Sequence, residues 1–142
     1  MKKNISQFIL IVDDDDDDRI FFCEALHEID PAIKFIIAKD GAEALDFLSK
    51  SDVLPDFIFL DLNMPRMNGK KCLEELKKSD RFFQIPVVMY STSKNEEDVE
   101  ETKKLGALAF IKKPVLFDDI REIISHVISG EWEKVSEDIY HK

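Results

Sequence analysis

Five short runs of uninterrupted apolar residues mark the chain at intervals: Phe8 to Val12, Phe35 to Ala38, Phe57 to Leu60, Val87 to Tyr90 and Ala107 to Ile111. They are rich in β-branched and aromatic residues and lack the polar alternation of a half-exposed strand. Runs of this kind predict parallel strands buried on both faces, which requires helices packed on each side of the sheet.

The segments between them carry the helical period. Phe22, Ala25, Leu26 and Ile29 fall at the spacing that puts them on one helix face, and Ile120, Ile123, Ile124, Val127 and Ile128 form a fuller stripe that ends at Gly130. Asp40 followed by Glu43 reads as a capping box ahead of Ala44, Leu45 and Leu48. Cys72, Leu73 and Leu76 mark one face of a helix over Gly69 to Lys78. A fourth helix starts near Ser93 to Asn95, with Glu96, Glu97 and Asp98 in its first turn and Lys103 and Lys104 near its end, which suits the helix dipole. Its apolar stripe is thin, with Val99, Leu105 and Thr102 alone on the inner side, so this helix is expected to be weakly anchored.

Strands and helices alternating five times predict an α/β doubly wound domain: a five-stranded parallel sheet in the order 2-1-3-4-5, helices on both faces and right-handed crossovers. The expected division is an N-terminal tail over 1–5, the domain over 6–129 and a C-terminal extension over 130–142. Trp132, Val135 and Ile139 are spaced to face one way, which predicts a short helix packed on the domain or on a second copy, with a frayed end as the alternative. After the domain only this extension remains, so no output domain is expected.

In a doubly wound sheet the ligand crevice lies beyond the carboxyl ends of the strands, so the residues just after each run matter most. Asp13 to Asp18 follow the first run, Asp61 the third, Ser91-Thr92-Ser93 the fourth and Lys112-Lys113-Pro114 the fifth. Crowded carboxylates require a cation or a basic group nearby. Two carboxylates from these strand ends, a backbone carbonyl and a phosphoryl oxygen would offer magnesium the hard oxygen ligands it prefers. Asp61 is a nucleophile able to form an acyl phosphate, Lys113 would neutralise the transferring oxygens, and Ser91 can donate a hydrogen bond to the product. Asp15 to Asp18 read mainly as a solvated helix start, with Asp17 and Asp18 at the border of the site, and Lys112 as a surface residue.

Composition narrows the partners. A net charge of −10 over 142 residues disfavours nucleic acid and anionic membrane surfaces. The N-terminal apolar run is too short for a signal peptide or a membrane span, so a cytoplasmic location is expected. Cys23 and Cys72 have neither disulfide nor zinc spacing and read as buried thiols. His27, His126 and His141 lie away from every strand end and read as surface residues.

With these motifs in order, the chain resembles the receiver domain of bacterial two-component response regulators, of the stand-alone, single-domain type, over residues from about 6 to 129. Val12-Asp13-Asp14 matches the family's acidic pair, Asp61 with Met64-Pro65 its phosphoacceptor segment, Ser91 its switch hydroxyl, and Lys113-Pro114 its lysine with a cis-prone proline bond. The resemblance implies a flavodoxin-like fold and magnesium bound directly by Asp14, Asp61 and the carbonyl of Asn63, with Asp13 acting mostly through water. It also implies that Phe110 is the switch aromatic, where family members often carry tyrosine, and that it turns into the space Ser91 vacates. Such a protein is a switch rather than an enzyme. Its partners would be a sensor histidine kinase or histidine phosphotransfer protein, a downstream protein target and, as a further candidate, a second copy of the chain.

Two rival readings share these residues. Asp13, Asp15, Asp17 and Glu24 fall at positions of a calcium-binding loop, although Asp18 stands where that loop needs glycine. Asp13 with Asp15 also matches the acid spacing of aspartyl-nucleophile phosphatases of the haloacid dehalogenase type, a reading that leaves the other strand-end groups without a role.

Overall fold

The computed structural model describes residues 7–92, 95–131 and 139–141. Its elements are β1 (Phe8–Val12), α1 (Asp16–Ile29), β2 (Lys34–Ala38), α2 (Gly41–Lys50), β3 (Phe57–Leu60), α3 (Gly69–Lys78), β4 (Val87–Ser91), α4 (Glu96–Leu105), β5 (Ala109–Lys112), α5 (Phe117–Ser129) and β6 (Ile139–His141). The first five strands are parallel in the order β2-β1-β3-β4-β5, as the alternation of strand and helix predicts.

Two apolar layers sandwich the sheet. One gathers Leu10, Leu60, Met89 and Phe110 with α2 and α3 residues such as Leu48, Cys72, Leu73 and Leu76. The other gathers Ile9, Ile11, Phe59 and Val88 with Phe22, Ala25 and Leu26 of α1 and Ile120, Ile124 and Val127 of α5. Alternate residues of each strand point to opposite layers, which is why the runs are apolar throughout.

The helix starts are fixed by side-chain caps. Asp15, Asp40, Asn68 and Asn95 each accept the N–H of the residue three positions on, satisfying a donor that the helix leaves unpaired. The capping box at α2 is offset by one residue, because Glu43 accepts from the N–H of Lys39 rather than from that of the cap. The thin stripe of α4 is also observed: Thr102 is its buried residue, and Val99 and Leu105 are partly covered.

The extension differs from expectation where it is described. Ile139–His141 pair antiparallel with β5, adding a sixth strand at that edge rather than a helical turn. Ile139 and Tyr140 favour extended backbone, and the outer edge of β5 offers unpaired backbone groups for them to bond. Trp132 and Val135 of the expected helix lie outside the described residues. No helix among the described residues is long and apolar enough to cross a membrane.

Candidate functional site

The sheet ladder itself delivers the acidic groups to one place. The N–H of Asp13 donates to the carbonyl of Ala38 at 3.0 Å and the N–H of Asp61 to that of Val12 at 2.9 Å, so both residues continue the strand pairing one step past the apolar runs. Their side chains emerge side by side beyond β1 and β3, and both are buried. One carboxylate oxygen from each of Asp13, Asp14 and Asp61 lies within 4.8 Å of the others, a set able to hold a metal ion. Three hard oxygen donors around one point suit magnesium or manganese, which fill the rest of an octahedron with water or phosphoryl oxygens.

Lys113 reaches this cluster from the tip of β5. Its backbone N–H donates to the carbonyl of Ser91 at 2.7 Å, and its ammonium lies 2.7 Å from Asp13 Oδ2, 2.7 Å from Asp18 Oδ2 and 3.6 Å from Asp61 Oδ2. Burial alone would lower the lysine pKa, but the bonds to Asp13 and Asp18 outweigh it and hold the ammonium charged. Asp61 is pushed up to about 6, mainly by burial, with Lys113 opposing and the charges of Asp13 and Asp14 adding to the rise. Asp13 is raised for the same leading reason, against its bonds to Lys113 and to the Asp15 N–H. These carboxylates therefore repel one another across a crevice that a divalent cation would neutralise.

Ser91 completes the fourth strand end. It is fully buried, and its Oγ is the buried side-chain polar atom with no hydrogen-bond partner among the described residues. A buried hydroxyl without a partner costs free energy in this state, a cost that a ligand reaching it would relieve. Phe110 is also fully buried, in register with Met89 of β4. A phenyl ring without a hydroxyl gains from the core and has no polar tip to keep wet.

The loop carrying Asn63 is pinned on both sides. Gly69 opens α3 against the end of β3, where an added Cβ would run into the carbonyl oxygen of Asp61. Arg66, in the left-handed region at φ 61°, grips the buried Asp40 through Nε at 2.8 Å and Nη2 at 3.1 Å. Burial works against the Asp40 charge, yet Arg66 and the α2 N–H groups outweigh it and hold that carboxyl below the usual range. Asn63 is exposed within this loop, two residues past Asp61.

Several sequence expectations change. The Lys113–Pro114 bond is trans, as are all described peptide bonds. Trans is the lower-energy isomer by about 0.5–1 kcal/mol, and Lys113 reaches the carboxylates from it without further adjustment. The calcium loop does not form, since Asp16 to Ile29 are helical and leave no twelve-residue ligand loop ending at Glu24. Asp15 spends its carboxylate on capping α1. Sequence reasoning missed Asp18 as a partner of Lys113, and it missed Arg19, whose Nη1 donates to the Asp13 carbonyl at 2.9 Å and braces the β1–α1 turn. In a run of six identical residues only the helix start decides which carboxylate faces inward. Lys112 is exposed, as expected. Cys23 and Cys72 form no disulfide, and burial pushes their thiols up to about 11 and about 12, so both are poor nucleophiles.

Comparison with known proteins agrees with this geometry. Residues 9–125 match the family model described as the response regulator receiver domain. A protein-glutamate methylesterase/protein-glutamine glutaminase of Methanospirillum hungatei is 38% identical over 116 residues, which cover 81% of this chain but 33% of that relative, so the chain spans about a third of its length. The structure of the phosphorylated cyanobacterial phytochrome response regulator RcpA superposes with a TM-score of 0.83 at 28% identity, covering 93% of this chain and 98% of that one. The Mn(2+)-bound response regulator Rcp1 superposes with a TM-score of 0.78 at 30% identity, covering 92% and 97%.

Proposed function

The chain belongs to the response regulator receiver family, and from that premise we propose that it is a phosphorylation switch in which Asp61 accepts a phosphoryl group in a magnesium-dependent reaction. The observation that carries this reading is the meeting of Asp13, Asp14 and Asp61 within 4.8 Å of one another beside the Lys113 ammonium. Asp14, Asp61 and the Asn63 carbonyl would hold magnesium, with Asp13 acting through water, and the ion would neutralise charge on the phosphoryl oxygens. That the similar Rcp1 is known with Mn(2+) bound supports a divalent ion here.

The donor is a phosphohistidine of a sensor histidine kinase or histidine phosphotransfer protein. An Asp61 oxygen attacks phosphorus, the phosphorus–nitrogen bond breaks and the imidazole leaves, taking a proton from solvent. Lys113 pairs with a phosphoryl oxygen, and the Ser91 hydroxyl, which has no partner among the described residues, donates to another. Ser91 ends β4, just ahead of α4. Its movement would therefore shift the most thinly anchored helix of the domain and present a changed surface to a downstream protein or to a second copy of the chain.

The test is incubation with magnesium and a small acyl-phosphate donor. The wild type should gain one acid-stable, alkali-labile phosphoryl group, and Asp61→Asn should gain none. Lys113→Ala should retain part of the labelling while losing the conformational response. Repeated release of phosphate from ordinary monoesters would instead indicate a phosphatase.

A further inference from the structure

Asp18 takes no part in the phosphoryl transfer proposed for Asp61, yet it makes one of the shortest contacts in the crevice. It is the third residue of α1, whose start is fixed by the Asp15 cap and by the Arg19 brace, and this phase turns its carboxylate toward β5. The Lys113 ammonium has three donors. Two point to Asp13 and Asp18 at 2.7 Å each, while Asp61 at 3.6 Å is beyond a good hydrogen bond. The Tyr90 ring lies 5.8 Å below the same ammonium.

The two short partners are not equivalent. Asp13 is 5% exposed and is also fixed by the Asp15 N–H at 3.0 Å, whereas Asp18 is 31% exposed and can exchange the lysine for water. An ammonium shared by three carboxylates settles where competition leaves it, and here that is toward α1, off the acceptor.

We propose that Asp18 is a positioning residue for Lys113: it holds the ammonium on the α1 side of the crevice, and a phosphoryl group on Asp61 must draw the lysine away from it. Asp18 thereby sets how tightly the phosphorylated state is held. The inference rests on the phosphoacceptor reading of Asp61.

The probe is beryllium fluoride, a tetrahedral mimic of a phosphoryl group on a carboxylate, titrated in saturating magnesium against wild type, Asp18→Asn, Lys113→Ala and the double variant. Asp18→Asn should tighten binding about threefold or more, Lys113→Ala should weaken it, and in the Lys113→Ala background the Asp18 substitution should gain less than half as much, a coupling that a double-mutant cycle resolves. Asp18→Glu, which keeps the charge, should behave as wild type. An equal gain in both backgrounds would overturn the proposal, because removal of a nearby negative charge would then explain everything without the lysine. No gain in the single variant would overturn it as well. If Lys113→Ala fails to fold, Lys113→Gln replaces it in the cycle. Failure of the wild type to bind the probe at all would count against the phosphoacceptor reading itself, whereas binding with an additive cycle would remove only the role of Asp18.

Discussion

Leu60 and Asp61 are neighbours and nearly equally buried, at 0% and 7% exposure, yet they pull the fold in opposite directions. Leu60 sits among Leu10, Met89 and Leu73, where burial removes apolar area from water and every neighbour supplies contact. One step further along β3, Asp61 meets two other carboxylates and a lysine already claimed by others. The sheet interior is where stability is gained, and the strand tips are where part of it is given up to crowd buried carboxylates around one lysine. A receiver needs both, because the rigid ladder holds the tips in place.

The largest test of that contrast is Leu60→Ala. It should lower unfolding free energy by about 2–5 kcal/mol, as cavity-forming leucine truncations do, measured by urea denaturation. A loss no greater than that of a surface substitution would break the contrast.

Lys113→Ala comes next. It leaves Asp13 and Asp61 buried without their cation and should cost about 3 kcal/mol at neutral pH, with magnesium restoring much of the loss. A loss unaffected by magnesium would mean that the carboxylates do not share one electrostatic site.

Asp61→Asn should act with the opposite sign. The folded chain raises this carboxyl from 3.8 to about 6, so between those values it binds more protons than the unfolded chain does. Stability falls as pH rises through that window and stays lower above it. Replacing the carboxylate should therefore stabilise the magnesium-free protein by on the order of 2 kcal/mol at neutral pH, and by nothing below about pH 4. Denaturation across that range reads the curve, and a destabilised variant at neutral pH would contradict the account.

The smallest effect concerns α4. Lys70 of α3 pairs with Asp98 at 2.6 Å and with Glu101, and these ties supplement the single buried residue of that helix, whereas α5 buries Ile120, Ile124 and Val127. Because the pairs are partly solvated, Lys70→Ala should cost under about 1 kcal/mol globally. It should still speed amide hydrogen exchange in α4 well before α5. Equal protection of the two helices in that variant would remove α4 as the mobile element.

Much of this was legible in the amino-acid sequence. Uninterrupted apolar runs specify a sheet covered on both faces, and the strand order puts Asp13, Asp61, Ser91 and Lys113 at one edge. What the sequence could not show was phase and competition. Whether Asp15 or Asp18 faces the crevice depends on where α1 begins, which the Asp15 cap decides. The Arg66–Asp40 clasp joins residues on separate loops and depends on the left-handed turn at Arg66. The strand at Ile139–His141 formed because β5 had an open edge, a property of the assembled sheet rather than of the segment itself.

Where the phosphoryl group resides decides whether Asp61 is the acceptor. After exposure to an acyl-phosphate donor with and without magnesium, borohydride reduction converts an aspartyl phosphate to homoserine, which peptide mass spectrometry locates. Homoserine is expected at position 61, and only when magnesium is present. Label on Ser91, or on Asp61 to the same extent without magnesium, would contradict it.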